Sequence, residues 1–220
     1  MTYDIHIKEF SIKFNGWKTF LLLTGISVLM TFAINELFVS EGLYYQSFGE
    51  KLATDRIAKM IELSHQWKWL GYVLTSVIIL IRVSFTASCI YIGSFIGNLN
   101  VRFKELFKVA LLADFVFVLA GLTKLVMLIF FKEVNTLEDL QFLPLSLMEL
   151  FDKSKVSPFL IYPYSLISVF ELLYWLALAW LLSGVVNKPF GSSLKTVASS
   201  YGIGLLLWVL FVMFLTVNLS

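Results

Sequence analysis

Charge is scarce in this chain. Only 15% of its 220 residues are Asp, Glu, Lys or Arg, against about 25% in an ordinary soluble domain. A surface solvated on all sides needs more. Net charge is only +2, so no basic field calls for nucleic acid. Cysteine is nearly absent. Cys89 alone excludes an intrachain disulfide and a dithiol redox pair, and its apolar setting fits a small core residue. The two histidines, His6 and His65, both fall outside the apolar stretches, so no bis-histidine haem site forms within them. The sequence has no HExxH, no GxSxG and no P-loop, and Gly191-Ser192-Ser193 has no histidine near it. These gaps point away from zinc, serine and thiol chemistry and from self-powered transport. The expectation is a non-enzymatic protein without cofactor or metal.

What is abundant is apolar: 59% of residues are hydrophobic. Crossing a bilayer takes about 20 mostly apolar residues in a helix. Five segments meet that requirement: Trp17 to Phe38, Trp69 to Gly97, Lys108 to Phe131, Pro158 to Gly184 and Lys195 to Leu219. The expected fold is therefore all-α, a polytopic transmembrane helical bundle forming one integral membrane domain over residues 1–220. The first apolar run is too long for a signal-peptide core, and Met1 to Asn15 is polar, so this run should remain as an anchor. Two stretches between the spans carry apolar residues at helical spacing and are expected as surface helices. One is 44–67, with Phe48, Leu52, Ile57, Met60, Ile61 and Leu63. The other is 136–151, where Thr136 and Asp139 resemble a capping box.

Orientation follows from the cations. With the N-terminus inside, the cytoplasmic parts carry Lys8, Lys13, Lys18, Arg102, Lys104, Lys108, Lys188 and Lys195. The longer outer parts carry Lys51, Arg56, Lys59, Lys68, Lys132, Lys153 and Lys155. The positive-inside bias is mild and favours a cytoplasmic N-terminus and an extracytoplasmic C-terminus. A bacterial inner membrane is the expected location.

A shift of 87 residues lays Gly97 on Gly184, Asn100 on Asn187, Phe103 on Phe190 and Lys108 on Lys195. This reads either as a parallel repeat of spans two–three and four–five or as two similar cytoplasmic turns. In both turns glycine suits a left-handed helix end, asparagine tolerates the turn, phenylalanine re-enters the interface and lysine marks the headgroup level. These turns, with "FKELFKVAL" and "LLSGVVNKPFGSSLKTVA" beside them, resemble the bacterial branch of the Yip1 family. That resemblance implies a five-span fold and a non-enzymatic membrane scaffold working through partner proteins. It carries over no catalytic residue.

Charged residues inside a span cost about 2.5–3.5 kcal/mol each on insertion scales. There are four: Arg82, Asp114, Lys124 and Glu171. Arg82 and Glu171 fall at matched depth in their spans and form the expected ion pair. The pair could fix helix packing, form a substrate or proton site, or meet another chain. Asp114 is expected near the inner interface, and Lys124 is placed to snorkel to the outer one. Small residues at i and i+4 allow close helix contact. They are Gly93 with Gly97, Ala198 with Gly202, and Ser200 with Gly204. The expected surroundings are the lipid bilayer and other membrane proteins. The expected role is a subunit that scaffolds or stabilises those proteins, or alternatively a small transporter or channel component built on Arg82 and Glu171.

Overall fold

A computed structural model describes residues 15–219. His6, Lys8 and Lys13 lie outside the described residues. Among the described residues, ten α-helices follow one another: α1 (Gly16–Phe38), α2 (Glu41–Phe48), α3 (Thr54–Gln66), α4 (Lys68–Ile96), α5 (Phe103–Ala113), α6 (Phe115–Phe130), α7 (Pro158–Leu166), α8 (Val169–Val186), α9 (Phe190–Val197) and α10 (Ile203–Leu219). Five helical stretches are long and apolar enough to cross a membrane: Gly16–Phe38, Lys68–Ile96, Phe103–Phe130, Val169–Val186 and Phe190–Leu219. The architecture is all-helical and fits a multi-pass membrane protein.

Polar side chains set the helix ends. Asn15 accepts from the Trp17 amide at α1, and Ser40 accepts from Leu43 N at α2; each satisfies a backbone donor that has no partner within the helix. The C-terminal end of α1 is tied to the start of α4 by an ion pair between Glu36 and Lys68. Trp67 and Trp69 stack at this corner, both largely exposed, as suits side chains at a membrane–water boundary. The interior is built from α4, α5, α8 and α9, with Val83, Ile90, Leu106, Val109, Leu178, Leu182 and Val197 all fully enclosed. α10 buries none of its residues.

Two of the five spans are bent. In the third, α5 and α6 meet at Asp114. In the fifth, a π-helical turn at Ala198–Gly202 joins α9 to α10. Both spans also begin earlier than the sequence suggests, at Phe103 and Phe190 rather than at Lys108 and Lys195.

The fourth span departs most from expectation. Pro158 to Gly184 is not one helix. It is interrupted at Ile167 and Ser168, both of which adopt extended backbone. Pro163 sits four residues ahead of the break and donates no backbone hydrogen bond. The freed groups find partners in the preceding loop: Leu147 N donates to Ile167 O at 2.7 Å and Val169 N donates to Leu145 O at 3.1 Å. A single antiparallel bridge, Ser146 with Ser168, results.

The two expected surface helices also change form. Residues 44–67 fall within two helices, α2 and α3, separated by a turn at 49–53. Residues 136–151 form no α-helix; short 3-10 turns occupy Leu137–Leu140 and Leu147–Leu150. Pro144 interrupts the apolar run and Leu145 takes φ 54°, a left-handed conformation that ends any helix through it. The Thr136–Asp139 capping motif does form, at the first of these turns. Asp139 Oδ2 accepts from Asn135 N, Thr136 N and Thr136 Oγ1 at 3.1, 2.7 and 2.9 Å.

Candidate functional site

Arg82 stands midway along α4 and Asp114 at the bend between α5 and α6. Arg82 Nε donates to Oδ1 of Asp114 at 2.7 Å and Nη2 donates to Oδ2 at 2.6 Å. This two-pronged geometry matches a planar guanidinium to a planar carboxylate. The Arg82 guanidinium also lies over the Phe117 ring, 4.2 Å from its centroid. Asp114 is completely buried, so its carboxylate is met by Arg82 rather than by solvent.

Arg82 therefore does not pair with Glu171. The break at Ser168 puts Glu171 in the first turn of α8, where its amide donates to Ser168 Oγ at 3.1 Å. Its carboxylate is met by two aromatic donors, Trp175 Nε1 and Tyr201 OH, each at 2.9 Å from Oε1. Tyr201 reaches it from the π-helical turn. Such turns carry one extra residue and recur at functional positions.

One side chain packs between the aromatic neighbours of the two charged sites. Tyr174 is fully enclosed, its hydroxyl donates to Thr86 Oγ1 at 3.0 Å, and its ring packs 4.8 Å from Phe117 and 5.5 Å from Tyr201, centroid to centroid. The result is a continuous polar and aromatic layer across α4, the α5–α6 bend, α8 and the π turn. Tyr174, Trp175, Tyr201, Thr86 and Phe117 are not singled out by the sequence reading. The available signal was two tyrosines deep in apolar runs, since a buried phenol usually finds a hydrogen-bond partner.

Lys124 lies apart from this layer, on α6. Its ammonium sits 5.4 Å from the centroid of the Phe142 ring, which Lys132 Nζ approaches to 3.6 Å. Between Arg82 and Lys124 runs a crevice of about 310 Å³, bounded by α1, α4 and α6. Ser27, Thr31, Thr75 and Asp114 add polar atoms to its wall.

The small residues serve contacts within the chain. A Cβ on Gly93 would overlap the Ser200 side chain, and one on Gly204 would overlap Cys89 Sγ. A Cβ on Gly202 would lie 2.7 Å from the Trp175 ring, while Gly97 caps α4 and meets backbone of that same helix. The turn residues sort differently from the sequence pattern. Asn98, not Gly97 or Asn100, is left-handed after α4, at φ 49°; Asn187 is left-handed after α8, at φ 50°. Gly184 lies inside α8, and Phe103 and Phe190 are the first residues of their helices. Among known proteins, no family model, curated protein or solved structure matches this chain.

Proposed function

We propose that the chain is a non-catalytic integral membrane subunit that scaffolds or stabilises partner membrane proteins. The observation carrying this reading is how the charges are used. Arg82 is spent on Asp114, and Glu171 on Trp175 and Tyr201. The polar layer thus locks the bundle together, while α10 leaves Leu206, Leu207, Leu210, Phe211 and Phe214 exposed without burying any residue. A rigid bundle with one bare helix suits a docking role in the plane of the bilayer, where packing rather than hydrophobicity drives helix association.

The proposal includes a bacterial inner membrane, a cytoplasmic N-terminus and Yip1-like kinship. It also includes a repeat of spans two–three and four–five. Two pairs of positions 87 residues apart support the repeat: the helix starts at Phe103 and Phe190, and the bend residues Asp114 and Tyr201. At each bend residue a polar side chain crosses to a neighbouring helix, Asp114 to Arg82 and Tyr201 to Glu171.

The test is purification of the full chain from native membranes, followed by mass spectrometry of co-purifying chains. A defined membrane protein at fixed stoichiometry is the expected result, lost when Leu207 and Phe211 are changed to Trp. A chain that purifies alone under mild conditions sinks the reading. The crevice reaching Arg82 favours a second reading, a small transporter component. That reading requires a substrate flux which Arg82→Leu abolishes.

A further inference from the structure

We propose that the crevice between α1, α4 and α6 holds an anionic phospholipid, with Lys124 as the cation that receives its phosphate. Lys124 lies six residues before the end of α6, about 9 Å along the helix at 1.5 Å per residue. Its flexible stem brings the ammonium toward headgroup level.

Neighbouring cations are already answered. Lys132 pairs with Glu149 at 3.0 Å, and Lys153 donates to the Gln141 carbonyl at 3.1 Å. Arg82, which also lines the crevice, is held by Asp114. Among the described residues, no carboxylate lies within 4.0 Å of the Lys124 ammonium. The Phe142 ring is a neutral partner for this ammonium, and a cation in an apolar segment is costly unless a counter-charge also meets it.

The shape of the crevice selects the source of that anion. Ile34, Ile78 and Val118 line it alongside Lys124, so its apolar wall suits the upper part of an acyl chain while the ammonium suits a phosphodiester. The hydroxyls of Ser27, Thr31 and Thr75 each donate to a carbonyl of their own helix, which lowers the polarity the crevice presents. At about 310 Å³ it takes the glycerol region and the first part of one chain. The remainder of the lipid lies along α1, whose buried residues are Leu23 and Thr24. Free phosphate would gain one cation and lose its hydration, so the lipid is the better occupant.

Native mass spectrometry on the full chain in detergent tests this, with phosphatidylglycerol, phosphatidylcholine and inorganic phosphate as separate additions. The expected result is one tightly retained phosphatidylglycerol, weak retention of phosphatidylcholine and no protection by inorganic phosphate. Lys124→Gln should weaken phosphatidylglycerol binding about tenfold, the usual scale for loss of one charge-assisted hydrogen bond. Lys188→Gln, in the turn between α8 and α9, should bind as the wild type does. Ile34→Trp keeps the cation but fills the crevice, and should weaken binding as much as Lys124→Gln. Equal retention of both lipids, equivalent protection by inorganic phosphate, or undiminished binding in Lys124→Gln overturns the proposal. If Lys124→Gln does not fold, undiminished binding in Ile34→Trp overturns it. The measurement is made on the isolated chain, so its outcome is independent of whether a partner protein exists.

Discussion

Arg82 holds both carboxylate oxygens of Asp114, at 2.7 and 2.6 Å, across the meeting of α4 with the α5–α6 bend. Removing either partner leaves the other without its counter-charge in an apolar span. Arg82→Leu and Asp114→Leu should each destabilise by about 3 kcal/mol, the low end for a broken buried pair, because the Arg82 side chain is 35% exposed. The double change should recover part of that loss. Thermal unfolding of the four proteins in one detergent gives the cycle, and strictly additive losses would mean the two residues do not act as a pair.

Glu171 should behave otherwise, because its partners are neutral donors. Tyr201→Phe removes one hydrogen bond and should cost about 1 kcal/mol. Glu171→Gln keeps an acceptor at Oε1 and should cost less than Glu171→Leu. A cycle between Arg82 and Glu171 should give a far smaller coupling than the cycle between Arg82 and Asp114. Coupling of equal size would show that Arg82 serves both carboxylates.

Glycines in the spans should divide by what surrounds them. Gly93→Leu and Gly204→Leu drive a side chain into Ser200 and Cys89 and should cost about 1–3 kcal/mol as overpacking. Nothing lies within 4 Å of a Cβ added at Gly25 or Gly71, so Gly25→Ala and Gly71→Ala should stabilise their helices by up to about 1 kcal/mol. Melting temperatures of the four single variants should therefore fall on both sides of the wild type.

Asp139 lies outside the spans and ties the loop after α6 together. Burial acts to raise its pKa, but hydrogen bonds from the Thr136 hydroxyl and amide and from the Asn135 amide outweigh it and hold the carboxyl below its ordinary value. A lowered folded-state pKa stabilises the loop above the unfolded value, with that stability lost as pH falls through the folded one. Amide exchange at Asn135 and Thr136, corrected for intrinsic rates, should stay protected at neutral pH and rise below about pH 4, near the usual aspartate range. In Asp139→Ala it should be fast throughout.

Under the proposed orientation the chain ends outside the cytoplasm. A reporter active only in the cytoplasm should be silent when fused after Ser220 and active when inserted at Lys188, in the turn between α8 and α9. The opposite pattern would invert the topology.

The five apolar runs were readable because membrane-spanning length and low charge density leave a helix little alternative. The partner of Arg82 is not readable from the sequence, because hydropathy does not mark where the helices carrying Asp114 and Glu171 start. Counted from Lys108, Asp114 lies shallow. Counted from the true start at Phe103, it is 11 residues in, while Arg82 is 14 residues from the end of α4 at Ile96, so the two depths nearly match. Glu171 moved the other way, from mid-span to the third residue of α8. A single extended pair, Ile167 and Ser168, caused that move, and nothing in their hydropathy marks it. Pro163 was the one local sign. Likewise Pro144 was the sign against a helix over 136–151.

The pairing of Leu145 and Leu147 with the break after α7 makes the loop and the span one mechanical unit. Backbone groups freed at that break would be costly in hydrocarbon if left unpaired, and residues 20 and 24 positions upstream supply their partners. Length changes between Leu147 and Pro158, in a loop that would otherwise vary freely, are therefore constrained by this pairing. A deletion there would displace Glu171 without altering a single residue of α8.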